Sequence, residues 1–199
     1  MEKNSMRFFK QTLTIMVVSS LTLFIAGCGS TSNDQGVAFT ALGFFALDED
    51  GEIDTDTGVT GVGAILGVGA SPVAIGVQNN LCCSFIRTER IKLSYEIPGS
   101  GVQPPSTAAP LSAVINNTPS DPGTGGSSLP DTLANDESLR FFSFQPVRAE
   151  IDEWLVFNKN SLPPSPFSMV VTATVTGVTS AGKNLETNPV HLAVTVFGN

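Results

Sequence analysis

The chain has 199 residues, with 10 Lys and Arg against 18 Asp and Glu, one His, three Cys and one Trp, for a formal charge of −8 at pH 7. That length is enough for one ordinary domain with a real core. The acidity excludes nucleic-acid binding through general phosphate attraction, which needs a basic patch, and a single His with dispersed Cys leaves little material for a zinc enzyme.

At the N-terminus, Lys3, Arg7 and Lys10 outweigh Glu2 and precede an apolar run from about Leu13 to Ala26. A basic start followed by such a run is an export signal. It is too short for a comfortable membrane span, which needs about 20 apolar residues. Ile25-Ala26-Gly27-Cys28 resembles the lipobox of bacterial lipoproteins. The resemblance covers residues 1–28 and implies that 1–27 is a signal peptide and that Cys28 is a lipid anchor carrying a diacylglycerol on its thiol, with a third chain on the freed amine. One acyl chain holds only marginally, whereas two or three hold durably, so membrane lipid is the first expected partner. Gly29 is not the Asp that in such families marks inner-membrane retention, so the resemblance points to the outer membrane of a two-membrane cell. In a one-membrane cell it implies the outer face of the cytoplasmic membrane. An uncleaved anchor or ordinary secretion is the alternative.

After cleavage the chain comprises residues 28–199, 172 residues with 17 acidic against 7 basic side chains. Residues 28–86 contain seven carboxylates and no Lys or Arg. Residues 29–36, Gly-Ser-Thr-Ser-Asn-Asp-Gln-Gly, read as a polar tether. Residues 37–199 then read as a single all-β domain. Val37–Leu47 is rich in sheet formers, with Gly43 as a bulge signal, and the Gly-rich stretch 59–78 reads as two short strands near 59–67 and 72–78.

Clean alternation follows. Ile91, Leu93, Tyr95 and Ile97 share one strand face; Met169, Val171, Ala173 and Val175 share another; Leu192, Val194 and Val196 share a third. Residues 138–144 and 151–157 are less regular and read as β-rich. Prolines at 98, 104, 105, 110, 119, 122 and 130 break the stretch 98–136 into a long Pro/Gly-rich insertion loop, with room for a short strand at 111–115. An interdomain linker between two smaller units is the less economical reading. The expected fold is an immunoglobulin-like or related antiparallel β-sandwich, in which each sheet buries one face against the other.

Asp48-Glu-Asp-Gly-Glu-Ile-Asp-Thr-Asp56 packs six carboxylates around one turn-forming Gly. Asp48, Asp50, Glu52, Asp54 and Asp56 are candidate calcium ligands, since calcium takes six to eight oxygens; a solvated β-turn is the plainer alternative. Cys82 and Cys83 are adjacent, so in a strand they point to opposite faces. Two thiols and a strained vicinal disulfide both remain open. His191 has no local nucleophile or Asp partner and reads as a strand-surface residue, so no catalytic residue is assigned and an enzyme is not expected. Trp154, Phe141 and Phe142 are candidates for a binding surface, although core packing competes for each ring. At least one ring of Phe141-Phe142-Ser-Phe144 should face outward. The expected function is an envelope lipoprotein with a structural or assembly role through a protein partner. A glycan- or peptide-binding module, calcium-stabilised or not, is the alternative.

Overall fold

The computed structural model describes residues 38–81, 83–117 and 137–198, the side chains of residues 55–57 apart. In chain order the elements are β1 (Phe39–Leu47), β2 (Ile53–Val59), β3 (Gly61–Ile65), β4 (Gly69–Ala70), β5 (Val73–Asn79), β6 (Ile86–Glu96), β7 (Thr107–Ile115), β8 (Leu139–Phe144), α1 (Ala149–Phe157), β9 (Phe167–Thr179), β10 (Asn184–Glu186) and β11 (Val190–Phe197). They form an all-β structure of two packed sheets, one ordered β2-β1-β5-β8 and the other β4-β3-β11-β9-β6-β7, with β10 also on β9. Neighbours are antiparallel except β3 and β11, which run parallel. The chain changes sheet at Thr60, whose carbonyl accepts a bond from the Ala193 N–H at 2.9 Å.

The period-two pattern explains why these segments pack face to face. Met169, Val171, Ala173 and Val175 of β9 are fully buried, as are Leu192, Val194 and Val196 of β11. On β6 the inward set is Ile86, Thr88, Ile91, Leu93 and Tyr95. The three-residue step from Thr88 to Ile91 would flip the later side chains outward in a regular strand. A bulge between Thr88 and Arg90 absorbs the extra residue and keeps both halves facing the core.

Polar side chains complete the backbone pairing that such irregularities interrupt. Thr88 Oγ1 accepts the Ala113 N–H and donates to the Ala113 carbonyl. At the β1 bulge between Ala41 and Gly43, Asn188 of the β10–β11 connection takes the place of a strand neighbour. Its Oδ1 accepts the Ala41 N–H at 2.9 Å and its Nδ2 donates to the Ala41 carbonyl at 3.1 Å. Asn79, fully buried, donates through Nδ2 to the carbonyls of Ser84, Ile115 and Asn116, and its Oδ1 accepts the Leu81 N–H. These two amides tie the sheets together.

Two expectations need correction. Residues 151–157 form most of a helix, not a strand: Ile151 and Leu155 stand one turn apart and are buried, Trp154 packs partly beside them, and Glu150 and Asp152 sit in the first turn, where the helix dipole favours carboxylates. Within the 98–136 stretch the strand is longer than the expected 111–115, since β7 spans Thr107–Ile115. Pro110 is tolerated there because β7 is an edge strand and its pairing with β6 is bulged at that point. Residues 118–136 lie outside the described residues.

The strand register defines two ends. Ala38, Asn79, Ile86, Ile115, Leu139 and Thr179 gather at one, the Ala38 end. The β1–β2 hairpin, the 65–69 turn, the β6–β7 connection, α1 and Phe197 gather at the other, the α1 end. Val147, Ile151 and Leu155 enter the core cluster from that end, so α1 closes the space between the sheets.

Candidate functional site

The acidic segment forms the hairpin joining β1 to β2. Asp48 Oδ1 accepts the N–H groups of Asp50 and Glu52, at 3.0 and 2.7 Å, while the Asp48 N–H donates to the Glu52 carbonyl. This is the side-chain turn that an Asp at such a position makes with its own backbone. Gly51 takes the left-handed conformation that closes it. Asp48, Asp50 and Glu52 are exposed, Asp54 is half-buried on β2, and the side chain of Asp56 lies outside the described residues. Among the described residues, no three His, Cys, Asp or Glu side chains gather as a metal-holding group.

The aromatic candidates divide by strand parity. Phe142 and Phe144 pack against the core, whereas Phe141 faces outward and meets Phe45 edge to face, with centroids 5.1 Å apart. Both rings lie over Gly76, where a Cβ would come within 2.9 Å of the Phe45 ring. Trp154 is half-buried against the core. Cys83 is exposed in the β5–β6 connection; its neighbour Cys82 and the lipobox Cys28 lie outside the described residues. His191 stands on the solvent face of β11, with Nδ1 2.9 Å from Thr172 Oγ1.

Among the described residues, Glu186 and Tyr95 are the ionisable groups with a clear shift. Hydrogen bonds from Lys92 and then Thr174 hold the Glu186 carboxyl below the usual carboxylate range. Burial pushes the Tyr95 phenol up, against the opposing hydrogen bond with Thr107.

The α1 end holds the surface that composition and periodicity did not single out. Phe157 is 87% exposed and Val68 is 75% exposed, with Ile65, Val156 and Phe197 also open to solvent. The 65–69 turn is fastened to α1 by the Gly67 N–H, which donates to Asp152 Oδ1 at 2.9 Å. On the α1 side of this turn lies a cleft of about 500 Å³, lined by Gly67, Ala149, Asp152, Glu153, Val156 and Phe157. On its other side a second hollow of about 410 Å³ is lined in part by Ile65, Val68 and Phe197. Its sequence signals were the apolar turn Ile65-Leu66-Gly67-Val68 and the pair Val156-Phe157, both hidden by reading their segments as strand. A separate groove of about 310 Å³ lies between β6, β7 and the start of α1, floored by Ile91 and Leu93 and rimmed by the Arg148–Glu150 ion pair.

Among the described residues, no helix is long and apolar enough to cross a membrane. No family model matches the chain, and no curated protein matches it.

Proposed function

We propose that this chain is an exported lipoprotein, anchored through acylated Cys28, whose β-sandwich serves a structural or assembly role in the cell envelope by contacting another protein. The observation that carries the reading is the run of basic residues, apolar stretch and Ile25-Ala26-Gly27-Cys28, followed by a polar tether that joins the sandwich at the Ala38 end. Among the described residues, Ile65, Val68, Val156, Phe157 and Phe197 leave apolar side chains exposed at the opposite end, which suits contact with a protein, while Phe85 and Val114 are exposed at the Ala38 end. In a two-membrane cell the outer membrane is the proposed location, since Gly29 is not Asp. Trp154 is half-buried against the core, which favours protein contact over stacking on a sugar ring.

The finer fold reading is immunoglobulin-like. Naming β1, β5 and β8 as strands A, B and E, and β6, β7, β9 and β11 as C, C′, F and G, reproduces the order A-B-E in one sheet and C′-C-F-G in the other. The antibody hallmarks are missing from these strands: β6 carries no Trp, and neither β5 nor β9 carries a Cys. The analogy therefore extends to architecture alone.

Palmitate labelling of cells producing the protein or its Cys28→Ala variant tests the anchor. Label in the wild-type band at the membrane, with loss of both label and membrane recovery in the variant, is the expected result. Equal membrane recovery without label would overturn it.

A further inference from the structure

We propose that the cleft between the 65–69 turn and α1 is the docking surface for the partner, and that the partner's docking segment is cationic and apolar, with Lys or Arg flanking a large aliphatic or aromatic side chain. This deepens the protein-contact reading above and rests on it. The cleft offers an apolar wall, Val156 and Phe157, facing the glycine of an exposed turn, and its polar rim consists of the carboxylates Asp152 and Glu153. Its volume of about 500 Å³ falls within the range of small-ligand pockets and suits an inserted side chain with its neighbours.

Charge decides which occupant fits. The β1–β2 hairpin brings Asp48, Glu49, Asp50 and Glu52 to the α1 end, β6 ends there with Glu96, and α1 adds Glu150, Asp152 and Glu153. Against these stand Arg148, already paired with Glu150 at 2.8 Å, and Lys159. A second copy docking by the same face would set one acidic end against another. An anionic lipid surface would be repelled in the same way. A basic segment is attracted, and its apolar side chain removes Phe157 and Val156 from water. Specificity then comes from two requirements at once, since a purely basic segment leaves the apolar wall wet and a purely apolar one leaves the exposed Glu153 carboxylate without a cation.

The test uses the full chain in neutral detergent micelles and a fluorescent dodecapeptide of Lys and Leu with one central Phe. The expected result is saturable binding that weakens about tenfold with Phe157→Ser and with Glu153→Lys, falls with added salt, and is absent for the peptide with Glu in place of Lys. Both substituted side chains are exposed, so the variants fold, as circular dichroism would confirm. Absence of binding, or binding that both variants leave unchanged, would overturn the proposal. So would sedimentation showing a dimer that Phe157→Ser dissociates, or capture of the full chain by phosphatidylglycerol vesicles through this face. A photo-crosslinker placed at Ala181, near the Ala38 end, separates the two levels. A stoichiometric envelope protein captured there, with no peptide binding at the cleft, rejects this surface while the assembly role stands.

Discussion

Asn79 and Asn188 each stand in for a stretch of backbone. Both amides give their donor and acceptor to main-chain groups that bulges and turns leave without strand neighbours. Removing such a side chain strands several buried polar groups at once, each costing on the order of 1–3 kcal/mol. Asn79→Ala is therefore expected to lower stability by about 2–4 kcal/mol, seen as a lower urea midpoint at unchanged slope. An isosteric Asn79→Leu, which keeps the volume, should be no better. Tyr95 is the sole tyrosine, so phenolate absorbance reads one group. Its folded pKa is raised by burial, so the neutral phenol stabilises the fold below the ordinary value of about 10, and that contribution is lost as pH rises through the folded value. A titration displaced above about 10 in the folded protein and returning there in urea is the expected outcome. Glu186 has the opposite sign: its folded pKa is lowered, so its contribution is present above the ordinary Glu range and is lost as pH falls through the folded value. Both partners of its ion pair with Lys92 are about half exposed, so Lys92→Ala should shift the acid midpoint only slightly.

At the scale of elements, α1 carries a division of labour between its faces. Leu155 is buried in the core cluster, and Leu155→Ala should cost about 2–5 kcal/mol through lost burial and the cavity left behind. Two residues on, Phe157→Ala should change stability by no more than about 0.5 kcal/mol, since that ring is out in solvent. Parallel thermal melts of the two variants check the contrast. A large loss in Phe157→Ala would mean that the ring is packed. The strands of this fold were legible where alternation is strict: Ile91 to Ile97, Met169 to Val175 and Leu192 to Val196 are buried as their spacing predicts. The helix was not, because Ile, Trp, Val and Phe fill sheet positions well and weighed more than the i, i+4 spacing of Ile151 and Leu155 with acidic residues in the first turn. The length of β7 was hidden by Pro110, since sequence does not reveal that a strand will lie at an edge.

Across the whole molecule, sequence and structure carry separate halves of the account. The residues that suggest export and lipidation lie in the first 28 positions, where no periodicity of a packed domain is needed. The candidate contact surface is assembled from a turn near residue 67, a helix near 155 and the last strand, so only the fold brings its members together. That is why Val68 and Phe157 escaped a linear reading, while the acidic run 48–56 drew attention as a cation site. In the fold, Asp48 accepts two N–H groups of its own hairpin backbone, and the run contributes negative charge to the α1 end. Replacing Glu49, Asp50 and Glu52 by Gln should weaken capture of a basic partner segment while leaving the melting temperature nearly unchanged, because all three side chains are exposed.

The central claim is that a processed, acylated Cys28 fixes this sandwich to a membrane. An intact mass of the protein extracted from membranes tests it most directly. The account predicts a chain of residues 28–199 carrying a diacylglyceryl group, with or without a third acyl chain. A mass matching the chain from Met1 without added lipid, or a processed chain bearing no lipid, would contradict it.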